Sequence, residues 1–100
     1  TENGLWSRLY NDGWLEQGGN QTNPLTGNTA GSFNIDFLDS FGNTDYYFFR
    51  NPVWAQQNTN PQSDVYAVGC TSKSNNKVTV GCHGVTYVQS IDWYACGYKS

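Results

Sequence analysis

One histidine and three cysteines are the side chains that could hold a metal ion: Cys70, Cys82, His83 and Cys96. Structural zinc sites usually take their thiolate and imidazole ligands in pairs that lie about two to four residues apart. Here only Cys82 and His83 are neighbours, and the other two cysteines lie much farther away along the chain. The spacing therefore predicts no metal site and no cofactor.

Disulfide bonding of these cysteines depends on strand register. If Cys70 pairs with Val80 in a hairpin, Cys82 lies diagonally on the same face, whereas a shift of one residue sends the two sulfurs to opposite faces. The sequence leaves open whether any two of Cys70, Cys82 and Cys96 are bonded. Three cysteines are too few for a disulfide framework, which favours reduced thiols and assembly in a reducing compartment.

Paired carboxylates could hydrolyse a glycosidic bond. The candidates are Glu16, Asp36, Asp39 and Asp92. Asp36 alternates outward from an apolar segment, and Asp39 opens a turn, where an aspartate side chain binds nearby backbone. The sequence contains no nucleophile elbow, phosphate-binding loop or Ser/His/Asp arrangement. We therefore predict that the chain is not an enzyme.

Trp54 and the amides after it are the candidates for binding a sugar. A sugar ring lies on an aromatic face, while amide groups match its hydroxyls without net charge. The candidate binding residues are Trp54, Gln56, Asn58 and Asn60. In the alternative interpretation, Trp54 is buried and fixes a polar loop to the core.

Length and charge exclude several classes of protein. The chain has 100 residues, and we treat residues 1–100 as one domain. The net charge is −3 and the five cations are scattered, so no basic surface is predicted for nucleic acid. No apolar run approaches the ~20 residues of a membrane helix, so membrane insertion is not expected. The chain starts at Thr1 and contains no methionine, which suggests a C-terminal domain excised from a longer protein.

The elements that must position these side chains are β-strands, because glycine, asparagine and proline interrupt every window that could hold an amphipathic helix. Residues 6–10 and 14–17 read as a hairpin whose Asp12-Gly13 turn supplies positive φ. Phe33, Ile35 and Phe37 alternate with polar residues, as in a half-buried strand. Between the strands we predict polar loops over 18–31 and 51–63 and turns over 39–44 and 71–76.

Three segments are apolar on both faces: residues 45–50, 65–70 and 93–98. We predict a small antiparallel β-sandwich, in which each strand has only one core face. A second buried surface is then needed, and a homotrimer would supply it. The candidate interface residues are Tyr46, Phe48, Tyr66, Val68, Tyr94 and Tyr98. The alternative is that the apolar excess is ordinary exposed surface.

Strict up-and-down alternation of strands would gather the turns at 11–13, 39–44 and 71–76 at one end of the domain. A receptor could then be met at that end or on the flank between subunits. We favour the flank.

Residues 6–19 (WSRLYNDGWLEQGG) and residues 93–98 (WYACGY) together resemble the C-terminal head domains of phage and prophage tail fibres. The resemblance covers both ends of the chain, and residues 20–90 do not share it. It implies an H-type-lectin-like antiparallel β-sandwich that forms a homotrimer at the tail-fibre tip of the virion, assembled in the bacterial host cytoplasm. It also implies receptor binding to a bacterial surface glycan. The alternatives are an architectural trimerisation or capping domain, or a secreted lectin-like module.

Overall fold

The computed structural model describes residues 4–24, 31–54, 69–82 and 88–99, and these form seven β-strands without an α-helix. The strands are β1 (Trp6–Leu9), β2 (Trp14–Thr22), β3 (Gly31–Asp36), β4 (Tyr47–Trp54), β5 (Gly69–Lys73), β6 (Lys77–Cys82) and β7 (Val88–Tyr98). The predicted all-β class is confirmed.

The strands form two antiparallel sheets that pack against each other around one core. The four-stranded sheet has the order β1-β2-β7-β4, and the three-stranded sheet has the order β3-β6-β5. Both contribute to the buried cluster, which includes Leu15, Ile91, Trp93 and Ala95 from the first and Phe33, Ile35, Val78 and Val80 from the second. Alternation therefore directs one face of each sheet inward, as in a sandwich.

The β1–β2 hairpin forms as predicted. Gly13 has a φ of 91°, a conformation that glycine adopts without steric cost. The turn is closed by a hydrogen bond from Tyr10 N to Trp14 O of 2.8 Å, and Asp12 Oδ1 accepts a hydrogen bond of 3.0 Å from Trp14 N. Asp12 and Gly13 thus fix the register of the first two strands.

Strand β2 is longer than predicted, since residues 18–22 continue it instead of opening a polar loop. Gly18 and Gly19 lie opposite Tyr94 and Trp93 of β7. A side chain at Gly18 would come within 2.7 Å of the Trp93 carbonyl oxygen. Glycine therefore serves close packing here rather than chain reversal.

Strand β4 also extends beyond the predicted boundary, through residues 51–54 of the expected loop. It contains Pro52, which has no N–H to donate to a neighbouring strand. Because β4 is at the edge of its sheet, proline is tolerated at this position.

The β5–β6 hairpin pairs Cys70 with Val80, as one of the two predicted registers requires. A register irregularity follows between Cys70 and Ser72. The turn is shorter than predicted, because β5 runs to Lys73 and β6 begins at Lys77. The thiols of Cys70 and Cys96 are free, the first exposed and the second buried.

Three predicted turns meet at one end of the sandwich, together with the end of β7. Backbone hydrogen bonds of 2.8 to 3.0 Å join them: Phe41 N to Asn75 O, Gly42 N to Tyr98 O and Lys99 N to Gly13 O. The grouping expected from up-and-down strand alternation is confirmed.

Candidate functional site

The two sheets present different surfaces to solvent. The outward residues of β3 in the three-stranded sheet are polar (Ser32, Asn34 and Asp36), and Asn34 Oδ1 accepts a hydrogen bond of 2.8 Å from Thr79 Oγ1 of β6. The outward face of the four-stranded sheet is aromatic. We call it the aromatic face and define it by Trp6, Tyr10, Trp14, Glu16, Tyr47, Phe49, Tyr94 and Tyr98.

Strand register sets the centre of the aromatic face. Trp6 lies opposite Gly18, which lies opposite Tyr94, which in turn lies opposite Phe49. The ring centroids of Trp6 and Tyr94 are 6.1 Å apart, and those of Tyr94 and Phe49 are 6.0 Å apart. Three rings therefore form one continuous row across four strands.

Gly18 lies between Trp6 and Tyr94 and has no side chain, so the two rings can approach each other above it. A Cβ atom at this position would lie 3.0 Å from Nε1 of Trp6 as well as against the Trp93 carbonyl. The indole of Trp6 therefore covers the bare backbone of β2, as aromatic side chains do over strand glycines.

Glu16 is a charged group at the centre of the aromatic face, and Arg8 of β1 lies opposite it on the same side of the sheet. Its Oε1 accepts a hydrogen bond of 2.9 Å from the Tyr10 hydroxyl, and its Oε2 accepts one of 2.8 Å from the Tyr94 hydroxyl. These bonds, Tyr94 first, lower the pKa of Glu16. Burial, followed by the bond to Glu16, raises the pKa of Tyr94. The carboxylate is therefore ionised at neutral pH and is held at a fixed place among the rings.

Two shallow hollows lie at opposite ends of the aromatic face. One of about 250 Å³ is lined by Phe49, Arg50, Asn51, Asp92, Trp93 and Tyr94. The other, of about 480 Å³, is lined by Trp14, Asn43, Asp45, Tyr47, Gly97 and Tyr98 and lies beside the turns. Each combines aromatic walls with amide and carboxylate groups.

Asp92 belongs to the first hollow and is held by a neighbour. Asn20 Nδ2 donates hydrogen bonds of 2.8 Å to Asp92 Oδ1 and 2.9 Å to Ser90 Oγ. Asp92 lies opposite Asn20, four residues along β2 from Glu16, so the two acidic residues are roughly 13 Å apart along the strands. This exceeds the spacing of roughly 5 to 9.5 Å between the paired carboxyls of glycosidases.

The structure separates the predicted interface residues. Tyr46 is only 2% exposed inside the core, and Phe48 packs against that core. Tyr94 and Tyr98 lie on the aromatic face. Tyr66 and Val68 lie outside the described residues. The subunit interface itself stays a prediction.

The predicted sugar-binding residues are mostly beyond what the structure describes. The backbone of Trp54 ends β4, and Gln56, Asn58 and Asn60 lie outside the described ranges, as does His83. Among the residues that are described, no three His, Cys, Asp or Glu side chains form a metal-binding group. The same ranges contain no helix long and apolar enough to span a membrane.

Several residues of the aromatic face escaped the sequence interpretation. The sequence interpretation gave Trp6 no role beyond the hairpin and considered Glu16 only as a candidate catalytic carboxylate. It treated Tyr47 and Phe49 only as the second side of an apolar strand. Alternation along each strand shows which of its side chains share a face. Placing Trp6, Tyr94 and Phe49 in one row also requires the order of the four strands.

Comparisons of this chain with protein-family models, with curated proteins and with solved structures return no match.

The buried position of Tyr46 can be tested by the pH dependence of stability, because Tyr46 carries an ionisable hydroxyl. This hydroxyl donates a hydrogen bond of 2.7 Å to Ser74 O. Burial raises the pKa of Tyr46 from 10.0 to about 12. A raised folded-state pKa stabilises the fold fully below pH 10 and loses that contribution as the pH rises toward 12.

We expect Tyr46→Phe to reduce the loss of stability at alkaline pH, although it lowers stability at neutral pH by removing a hydrogen bond. The measurement is the urea midpoint between about pH 8 and pH 11. Tyr47→Phe is the matched control because its ring is 63% exposed. If the urea midpoint of wild type and of Tyr46→Phe depended on pH in the same way, the raised pKa of the buried Tyr46 hydroxyl would be contradicted.

Proposed function

We propose that this chain is the receptor-binding head domain of a phage or prophage tail fibre, with an H-type-lectin-like sandwich, that attaches the virion to a bacterial surface glycan. The aromatic face is the observation that carries the proposal. Tyr47, Phe49 and Tyr98 are each more than half exposed, while the outward residues of β3 on the opposite sheet are polar. Large exposed apolar surfaces on soluble domains mark binding sites.

A saccharide suits this surface chemically. Sugar rings pack their C–H faces on aromatic rings, and their hydroxyls need amide and carboxylate partners. Both kinds of group are present on the aromatic face, and the net charge of −3 does not favour a polyanionic partner such as nucleic acid. The role we assign is binding rather than catalysis.

The proposal includes a homotrimer, which tail-fibre heads of this type form. An architectural capping domain without its own ligand is the second candidate, and the exposed rings of Tyr47 and Tyr98 favour it because such rings pack well against another copy. In that case the aromatic residues serve contacts between copies instead of a receptor.

We expect the purified chain to bind components of an array of bacterial O-antigens and capsular polysaccharides. We also expect light scattering after size-exclusion chromatography to give three times the chain mass. A trimer that binds nothing on the array and does not adhere to bacterial cells would favour the capping role. A monomer at micromolar concentration would contradict the assembly.

A further inference from the structure

The row of Trp6, Tyr94 and Phe49 has the shape of a platform for a flat ligand. The planes of neighbouring rings are inclined by only 32° and 35°, and the row crosses the sheet from β1 to β4. Trp6 is 40% exposed and Phe49 is 56% exposed, so the two end rings are accessible. A ligand on this row would extend over more than one ring.

Hydrogen-bonding groups flank the row on both sides. Register places Glu16 two residues from Gly18 toward the turns and Asn20 two residues away in the other direction. Asn20 holds Asp92, and Asn51 lies opposite Asp92 at the edge strand. A ligand on the rings therefore has a carboxylate on one side and amide and carboxylate groups on the other, each roughly 7 Å along the strands from the row.

A carboxylate has about four acceptor positions, and Glu16 accepts hydrogen bonds from the two tyrosine hydroxyls and from the Trp14 side chain. A hydroxyl group of a ligand can bind the position that remains. Carboxylates are therefore effective partners for a ligand that carries many hydroxyl donors.

A second copy of the chain fits this surface less well. The cores of protein interfaces are depleted of charged residues. A protein covering this face would have to remove both the ionised Glu16 and the neighbouring Arg8 from water, and the loss of hydration can exceed the attraction between the two charges. Tyr94 and Tyr10 fix that charge in the middle of the rings, so an apolar partner cannot avoid it.

On these grounds we propose that an uncharged saccharide chain binds across the aromatic face, with its rings on Trp6, Tyr94 and Phe49 and its hydroxyls bonded to Glu16 and Asp92. This inference rests on the proposed function and specifies the ligand class and the site. It locates binding away from the predicted Trp54 segment. Subunit contacts of a trimer would then use other surfaces. Arg8 lies opposite Glu16, and Arg50 lines the same hollow as Asp92, so positive and negative charges balance on this surface and favour an uncharged saccharide over a strongly acidic or basic one.

The test uses the full chain and the oligosaccharide that binds most tightly on the array. Titration calorimetry compares wild type with Trp6→Ala and Phe49→Ala, and each variant is expected to weaken binding at least about tenfold. Leu9→Ala is the control, because Leu9 is a 55% exposed apolar residue of β1 that does not belong to the aromatic face. It should bind like wild type. Circular dichroism and light scattering on every variant check the fold and the mass.

Glu16→Gln and salt test the ligand class. Glutamine keeps the size of the side chain and an acceptor oxygen but removes the charge, so we expect several-fold weaker binding. Binding of an uncharged saccharide should change little between low and high salt. Stronger binding by Glu16→Gln, or an acidic ligand whose binding falls steeply with salt, would overturn the assigned class.

The remaining outcomes separate the inference from the proposed function. Unchanged binding by Trp6→Ala and Phe49→Ala would place the glycan elsewhere, such as the segment containing Trp54, and would overturn this site alone. Dissociation of the assembly by either variant would show that the face is an interface between copies, and would also overturn the site. Absence of any saccharide binding by wild type would overturn the proposed function and this inference together.

Discussion

Replacing Trp93 by alanine is expected to lower the free energy of unfolding by about 3–5 kcal/mol, the usual cost of removing a large aromatic side chain from a core. Trp93 is 5% exposed and lies between rings from two directions. Its centroid is 5.3 Å from that of Phe37 and 6.3 Å from that of Phe48, and both pairs are stacked. Alanine would leave a cavity between the sheets that neither neighbour can fill without moving.

Urea unfolding followed by far-UV circular dichroism measures this loss. Trp6→Ala is the matched control, since Trp6 belongs to the same sheet but faces outward, and it should cost less than half as much. Trp93→Phe keeps one stacked ring and should fall between wild type and alanine, which preserves the test if Trp93→Ala does not fold. A loss of stability below about 1 kcal/mol for Trp93→Ala would contradict its place in the core.

The ending WYACGY follows from the packing of β7. Trp93, Ala95 and Gly97 point inward, and their partners in β2 are Gly19, Gln17 and Leu15. Side-chain size falls along this series because less room remains near the turns, where a Cβ at Gly97 would lie 2.6 Å from Cβ of Tyr46. Tyr94 and Tyr98 point outward. The motif therefore encodes both the core and part of the aromatic face.

Local signals in the sequence predicted the hairpin and the half-buried strand. Asp12 and Gly13 determine a turn without help from distant residues. The alternation of Phe33 and Ile35 with polar neighbours places two side chains in the core, and both are buried. These predictions hold because the physical cause lies within a few residues.

The predicted loops were too long because their boundaries depend on distant partners. Gly18 and Gly19 read as loop residues, yet Trp6 and Leu5 cover them in the structure. Pro52 reads as a strand breaker, and only the edge position of β4 makes it acceptable. Neither the covering residue nor the edge position can be inferred from the local sequence.

The two faces of residues 45–50 were predicted, but Tyr46 and Phe48 were assigned to a subunit interface, whereas the structure turns their side toward the core. Alternation shows that Tyr46 and Phe48 share one side and Tyr47 and Phe49 the other. Hydrophobicity is nearly equal on both, so it cannot orient the strand. Phe48 lies opposite the inward Ala95 of β7, and this long-range register decides the orientation.

Replacing Gln17 is expected to have the second large effect on stability, because Gln17 is a fully buried polar side chain in the four-stranded sheet. Its Nε2 donates a hydrogen bond of 2.8 Å to Asp39 O, and its Oε1 accepts one of 3.1 Å from Asp39 N. The amide thus binds the 37–40 segment as a neighbouring strand would. We expect Gln17→Leu to cost about 1–3 kcal/mol, since it keeps the volume but leaves both backbone groups without their partner.

Thermal and urea unfolding of Gln17→Leu measure that cost, and Gln21→Leu is the control. Gln21 lies on the same strand, but its Nε2 donates to the carbonyl of the adjacent Thr22 and not to a distant segment of the described residues, so the substitution should be nearly neutral. Hydrogen exchange gives a local readout, because the amide of Asp39 should lose protection in Gln17→Leu before the amides of β2 do. Asp39 accepts a hydrogen bond from Ser7 Oγ, so its release would also loosen the edge strand β1, which carries Trp6. Unchanged stability together with unchanged exchange at Asp39 would show that the side-chain amide of Gln17 does not hold this segment.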